Sequence, residues 1–158
     1  IGRFPSAKQL VGYAGLGARV HDSGVTHTTG RITKTGRRDL RRAMVDSANQ
    51  AIRHQPHWVD FYEKHQLHLG RSKTVVAVAR KLLVAVWHVL SRQEADRFAN
   101  PTQVACSLFL LAHRIRKPNL PNGQSALEFT RSQLDRLGIG REVTTIPWGS
   151  KKFKLPSW

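Results

Sequence analysis

The chain of 158 residues has little acid. Its 10 Asp and Glu face 26 Lys and Arg, for a formal net charge of +16 and a pI of about 11.4. Those acids are scattered from Asp22 to Glu142. Two-metal phosphoryl transfer needs several carboxylates converging on neighbouring ions, so no such site is expected within this sequence. Cysteine is nearly absent as well. A lone Cys106 excludes an internal disulfide and a cysteine-built zinc site, and its apolar surroundings suit a small buried hydrophobe. The longest apolar stretch, Thr74 to Leu90, is interrupted by Arg80 and Lys81, so the ~20 clean apolar residues of a membrane span are missing. The opening "IGRFPSAKQL" has neither the cationic nor the apolar part of a signal peptide, and it has no initiator Met. The expectation is a fragment of a larger, soluble, intracellular protein.

What is abundant is positive charge. Self-repulsion of this size points to a polyanionic partner, and nucleic acid fits better than a membrane or an acidic protein. A hydrophobic fraction of 40% is enough for a real core.

Periodicity predicts a mainly α, compact helical domain with a small β-hairpin or loop insertion near the N-terminus. "FPSAKQLVGYAGLG" reads as a short helix with Ser6 and Gln9 as a capping box, Gly15 as its stop, and Leu10, Val11 and Ala14 facing inward. From Leu16 to Thr35 glycines and β-branched residues replace the helical period. "TGRRDLRRAMVDSANQAIRH" is an amphipathic helix whose apolar stripe is Leu40, Ala43, Met44, Ser47, Ala51 and Ile52. A second helix packs Trp58, Phe61, Tyr62 and Leu69. The helix from Ser72 to Leu90 is expected to be the central one, with Val76, Ala79, Leu83, Val86 and Leu90 as its stripe. Ser91 with Glu94 suggests a short helix through Phe98. Asn100 and Pro101 open a further helix with Val104, Leu108, Leu111 and Ile115 on one face, and Ser125 with Glu128 caps the last one. The tail "TTIPWGSKKFKLPSW" has no period and reads as extended and poorly ordered. The expected organisation is residues 1–92, a set of additional helices over 93–138, and an extended basic tail over 139–158.

Three constellations bear on chemistry. Arg31, Lys34, Arg37, Arg38, Arg41 and Arg42 lie within twelve residues, opposed only by Asp39, and the last four lie along two helical turns. Such a face binds phosphates or is simply solvated, and the global charge favours phosphates. His54 and His57, like His65 and His68, are three apart, but without cysteine or acidic support a metal site there is not expected. Ser23 stands before Gly24 in a polar stretch, with His21 and His27 near in sequence and Arg19, Arg31 and Lys34 available to bracket a phosphate. From composition alone a turn residue is the ordinary reading of such a serine. A nucleophilic role needs a base and cationic stabilisation.

The order of segments adds a resemblance. "FPSAKQL", Tyr13-x-Gly15-Leu16, the His21-x-Ser23-Gly24 loop, "GRITKTG" and "RRDLRRA" follow one another as in the C-terminal transposase domain of the insertion sequence 110/116/902 family, and the likeness runs from Ile1 to about Arg92. The resemblance implies a two-part recombinase. Ser23 matches the family's nucleophile, which forms a phosphoserine link with DNA. An N-terminal RuvC-like domain supplies a carboxylate set for Mg²⁺. Partners implied are DNA, a guiding bridge RNA and further copies of the protein, with a cytoplasmic, nucleoid-associated location in bacteria. This chain departs from the family in having Gly17 and Ala18 where Thr-Pro is frequent, and the carboxylate domain is not in the sequence, so no strand cleavage is expected of the chain alone. Residues from about 100 onward match nothing in the family. The competing readings are a non-catalytic RNA- or DNA-binding assembly module and a helical interaction domain whose charge serves solubility.

Overall fold

The computed structural model describes the backbone of residues 1–23 and 26–157, and the side chains of residues 1–19 and 30–157. Among these the order is α1 (Ala7–Tyr13), β1 (Ala18–Ser23), β2 (Thr26–Ile32), α2 (Arg38–His54), α3 (Pro56–Leu69), α4 (Arg71–Arg92), α5 (Pro101–Ile115), α6 (Ala126–Arg136), β3 (Thr145–Trp148) and β4 (Lys151–Lys154). The fold is mainly α with two small hairpins. It divides into two units, Ile1–Ser91 and Arg92–Trp158.

In the first unit, α1 is opened by Ser6, whose hydroxyl accepts from the Gln9 backbone N–H at 3.4 Å, and it turns at Gly15 (φ 68). Leu10, Val11 and Ala14 are buried, as the spacing predicts. They pack with Leu16, Met44, Ala48, Val75, Val78, Ala79 and Leu83. Pro56 at the first turn of α3 and an extended Gln55 separate α2 from α3. Trp58, Phe61 and Tyr62 cover this core from α3, while Leu69 is exposed. On α4 the buried residues are Thr74, Val75, Val78, Ala79 and Leu83, so Ala79 and Leu83 of the predicted stripe are buried, whereas Val76 is half-buried and Val86 and Leu90 are 40% and 47% exposed. By length and composition α4 alone among the described helices is apolar enough to cross a membrane. The Trp87 indole N–H donates to the Phe4 carbonyl at 2.9 Å and ties the start of the chain to α4.

The second unit corrects three expectations. No separate helix forms over Ser91–Phe98. Instead α4 runs on to Arg92, and Gln93 (φ 59) takes the left-handed conformation that ends it. On α5 the buried residues are Ala105, Phe109 and Ala112 rather than the predicted leucine face. The small alanines let a neighbouring helix approach, and Phe109 meets the Phe153 ring at 5.4 Å. Finally, the tail is folded. β3 and β4 pair antiparallel across a two-residue turn at Gly149 and Ser150, with Gly149 at φ 58. Ile146 and Leu155 are buried beside Ala105, Phe109, Leu134 and Val143. The capping box of α6 is present, with the Glu128 carboxylate accepting from Ser125 N at 2.7 Å.

One buried arginine holds the second unit closed. Arg131, on α6, is 6% exposed. It donates to the carbonyls of Gly140, Val143 and Pro156 at 3.0, 2.6 and 2.9 Å. Charge-assisted bonds to buried carbonyls are the strong kind, and leaving those acceptors dry is costly. Arg131→Met is expected to destabilise the second unit by about 3 kcal/mol and to expose residues 140–157 to limited proteolysis. A variant with wild-type protease resistance would show that the tail is held otherwise.

Candidate nucleic-acid interface

The arginine-rich segment is built around the C-terminal end of α1. The last carbonyls of a helix have no intrahelical donor and carry its partial negative charge. Here they are met from the segment between β2 and α2. Arg37 N donates to Tyr13 O at 2.8 Å, Lys34 N to Gly15 O at 3.2 Å, and Thr33 N to Gly17 O at 2.9 Å. The guanidinium of Arg41 completes the set, with Nη1 donating to Ala14 O and Lys34 O, both at 3.1 Å. Lys34 lies at φ 56 to present that carbonyl. Gly36 lies at φ 132, and a Cβ there would sit on the Tyr13 carbonyl. A Cβ at Gly15 would come within 2.6 Å of Arg41 Nη1. Gly15 of "YAGLG" and Gly36 of "GRITKTG" are thus explained by close packing at positive φ, with no ligand required.

The seven predicted cations separate accordingly. Arg41 is half-buried and turned toward α1, away from the exposed face of α2. Arg37 is exposed, but its Nε and Nη2 hold Asp39 at 2.9 and 2.5 Å. The Arg37 side chain, then the Leu40 backbone N–H, holds the Asp39 carboxyl well below the usual carboxylate range, and Asp39 in turn raises Arg37. Asp39 is therefore a fixed anion at neutral pH and offsets Arg37. Arg42 lies 3.9 Å from Asp46 with its side chain 84% exposed, an ion pair too loose and wet to hold it. Arg38 is exposed four residues before Arg42. Arg19, Arg31 and Lys34 are exposed at the base of the β1–β2 hairpin, where Arg19 reaches the Thr33 carbonyl at 3.4 Å.

Ser23 is at the other end of that hairpin. Ala18 pairs with Ile32 at the base, and Ser23 pairs with Thr26 at the far end of the ladder. Strands rise about 3.3 Å per residue, so the backbone at Ser23 is roughly 13 Å from that at Arg19. The side chains of Ser23, His21 and His27 are outside the described residues. Nearness in sequence therefore does not place these cations beside the serine.

Among the described residues no group of three or more His, Cys, Asp or Glu comes together in a way that would hold a metal ion. His65 is engaged locally, its Nδ1 2.7 Å from the Phe61 carbonyl and its ring stacked on Phe61 at 4.1 Å. The described residues thus do not fit a Mg²⁺ site. Two features were missed in the sequence: the inward role of Arg41, signalled by Gly15 and Gly36, and the C-terminal hairpin, signalled only by the Gly-Ser pair at its turn.

Comparison with known proteins adds the lineage. Residues 1–63, which span α1, the hairpin, α2 and the start of α3, match the family model described as transposase IS116/IS110/IS902 family. The candidate transposase y4rJ of Sinorhizobium fredii is 39% identical over 93 residues, covering 53% of this chain and 23% of that protein. The transposase for insertion sequence element IS1111A of Coxiella burnetii is 32% identical over 104 residues, covering 61% of this chain and 28% of that protein. The chain spans about a quarter of the length of these curated relatives. No solved structure matches it. Over its N-terminal 63 residues, the chain is similar to the IS116/IS110/IS902 family of transposases.

Proposed function

We propose that the first unit is the DNA-binding, serine-bearing part of a transposase that moves an insertion sequence through a phosphoserine intermediate. The observation that carries this reading is the placement of Ser23 at the far end of a hairpin whose base is clamped to the cationic start of α2. A clamp on α1 leaves Arg38 and Arg42 free for phosphates, with Arg19, Arg31 and Lys34 beside them at the hairpin base. At about 3.4 Å of rise per nucleotide, the roughly 13 Å from Arg19 to Ser23 is about four nucleotides. These cations thus grip the flank of the scissile step, while the groups that stabilise charge at the phosphorus come from elsewhere.

In the reaction, the Ser23 hydroxyl oxygen bonds to phosphorus, its proton passes to a base, and the deoxyribose oxygen leaves. A hydroxyl of the second strand then attacks the phosphoserine and restores Ser23, so the phosphodiester energy is conserved. In this reading, Mg²⁺ would be held by carboxylates of the family's RuvC-like domain and would supply activation of the serine. A bridge RNA as guide and a homo-oligomeric assembly fit the same reading. It is a reading of the complete protein's activity.

Three outcomes are expected. Ser23→Ala in the complete protein abolishes covalent DNA adducts and recombination while leaving DNA affinity within about twofold, and persisting adducts would overturn the assignment. Replacing Arg38 and Arg42 by Gln lowers the slope of log affinity against log salt by about 1.8 on duplex DNA, whereas Arg41→Met costs about 2 kcal/mol of stability in urea unfolding and leaves that slope alone. Asp39→Asn strengthens DNA binding and steepens the slope, by about 0.9 if the released Arg37 gains one phosphate. A weaker binder would show that Asp39 positions Arg37 for the DNA.

A further inference from the structure

The second unit, which the transposase family model does not cover, carries its own charge: 11 Lys and Arg against 5 Asp and Glu. Part of it is concentrated at the tip of the β3–β4 hairpin. Trp148 and Lys151 are cross-strand partners flanking the Gly149–Ser150 turn, so their side chains leave the same face of the ribbon. Lys152, next along β4, leaves the opposite face, and all three lysines of "KKFK" are exposed.

Trp148 is an unusual residue for such a tip. It is 37% exposed, although its ring is held from behind. Phe109, itself buried, meets it at 5.2 Å with planes 88° apart, so an edge of one ring supports the other. The exposed His113 backs it from the same side, 5.7 Å away and tilted by 37°, since its ring is only 4.6 Å from that of Phe109. A large aromatic ring fixed in orientation, open on one side and flanked by lysines is what an unpaired base with its phosphates recognises. Stacking takes up the base and the ammonium groups take up the backbone. Lysines alone would suit duplex and single strand equally. The exposed ring face decides between them, because a paired base has no free face to offer.

We propose that the β3–β4 hairpin tip is a binding site for single-stranded DNA, with Trp148 as the stacking platform and Lys151 and Lys152 as the phosphate contacts. The stacking and the charge point to a single strand. The choice of DNA over RNA rests on the transposase family and the function proposed above. The site does not involve Ser23, so it fails or stands independently of the phosphoserine chemistry.

The test measures binding of the full chain to an oligothymidylate of about 12 nucleotides, a duplex of equal length and the matching oligouridylate, over a range of salt concentrations. Trp148→Ala is expected to weaken oligothymidylate binding about tenfold and duplex binding less than twofold, while Trp148→Phe retains most of the affinity. Replacing Lys151 and Lys152 together by Gln lowers the single-strand salt slope by about 1.4. These lysines are exposed, so this variant keeps the fold even if Trp148→Ala loosens the contact with Phe109. An unchanged slope in the lysine variant overturns the proposal. So does equal weakening of single strand and duplex by Trp148→Ala, or a preference for the oligouridylate of more than tenfold.

Discussion

The contact of a guanidinium with backbone carbonyls at the end of a helix organises this molecule. In the first unit Arg41 takes up the Ala14 and Lys34 carbonyls, so that the close of α1, the strand leaving the hairpin and the start of α2 meet at one side chain. Everything proposed for that unit follows from this junction. It fixes where the base of the β1–β2 hairpin lies, it requires Gly15 and Gly36 at positive φ, and it determines which arginines of α2 face outward. The second unit uses a related device in Arg131, more deeply buried and with three acceptors in place of two, all beyond the end of α6.

The charge of a basic protein is therefore not one quantity. A formal +16 counts guanidinium groups that close the fold together with those available to a ligand. Arg41 and Arg131 are structural donors, Arg37 is offset by an anion held ionised beside it, and Arg38, Arg42 and the lysines of "KKFK" are open to solvent. Net charge by itself points to a polyanion as partner. Only geometry says which cations meet it.

Much of the helical framework was legible in the sequence, because caps and periodicity are local. Ser6, Pro56, Asn100 and the Ser125–Glu128 box each act within one turn of where they stand. Which stripe of an apolar helix is buried was less legible. On α4 and α5 apolar residues occupy most positions, so the choice of Val75 over Val76, or Phe109 over Leu108, depends on what packs against the helix. The tail was misread for a related reason. Two strands of four residues have almost no period, and their burial comes from Phe109 and Leu134, far away in sequence. The candidate site was legible as a set of residue types in order, including Ser23. The separation along the hairpin was not, because it is the antiparallel register that carries Ser23 away from the cations next to it in sequence.

The two arginine clamps differ in the direction from which their acceptors arrive. Arg41 bonds to residues 14 and 34, both of which precede it, whereas Arg131 bonds to residues 140, 143 and 156, all of which follow it. A chain made from its N-terminus presents those acceptors in that order. The first clamp can close as soon as α2 has emerged from the ribosome. The second leaves a guanidinium waiting in a half-formed core until Pro156 is out, so on a nascent chain the serine-bearing unit can mature before the hairpin-bearing one.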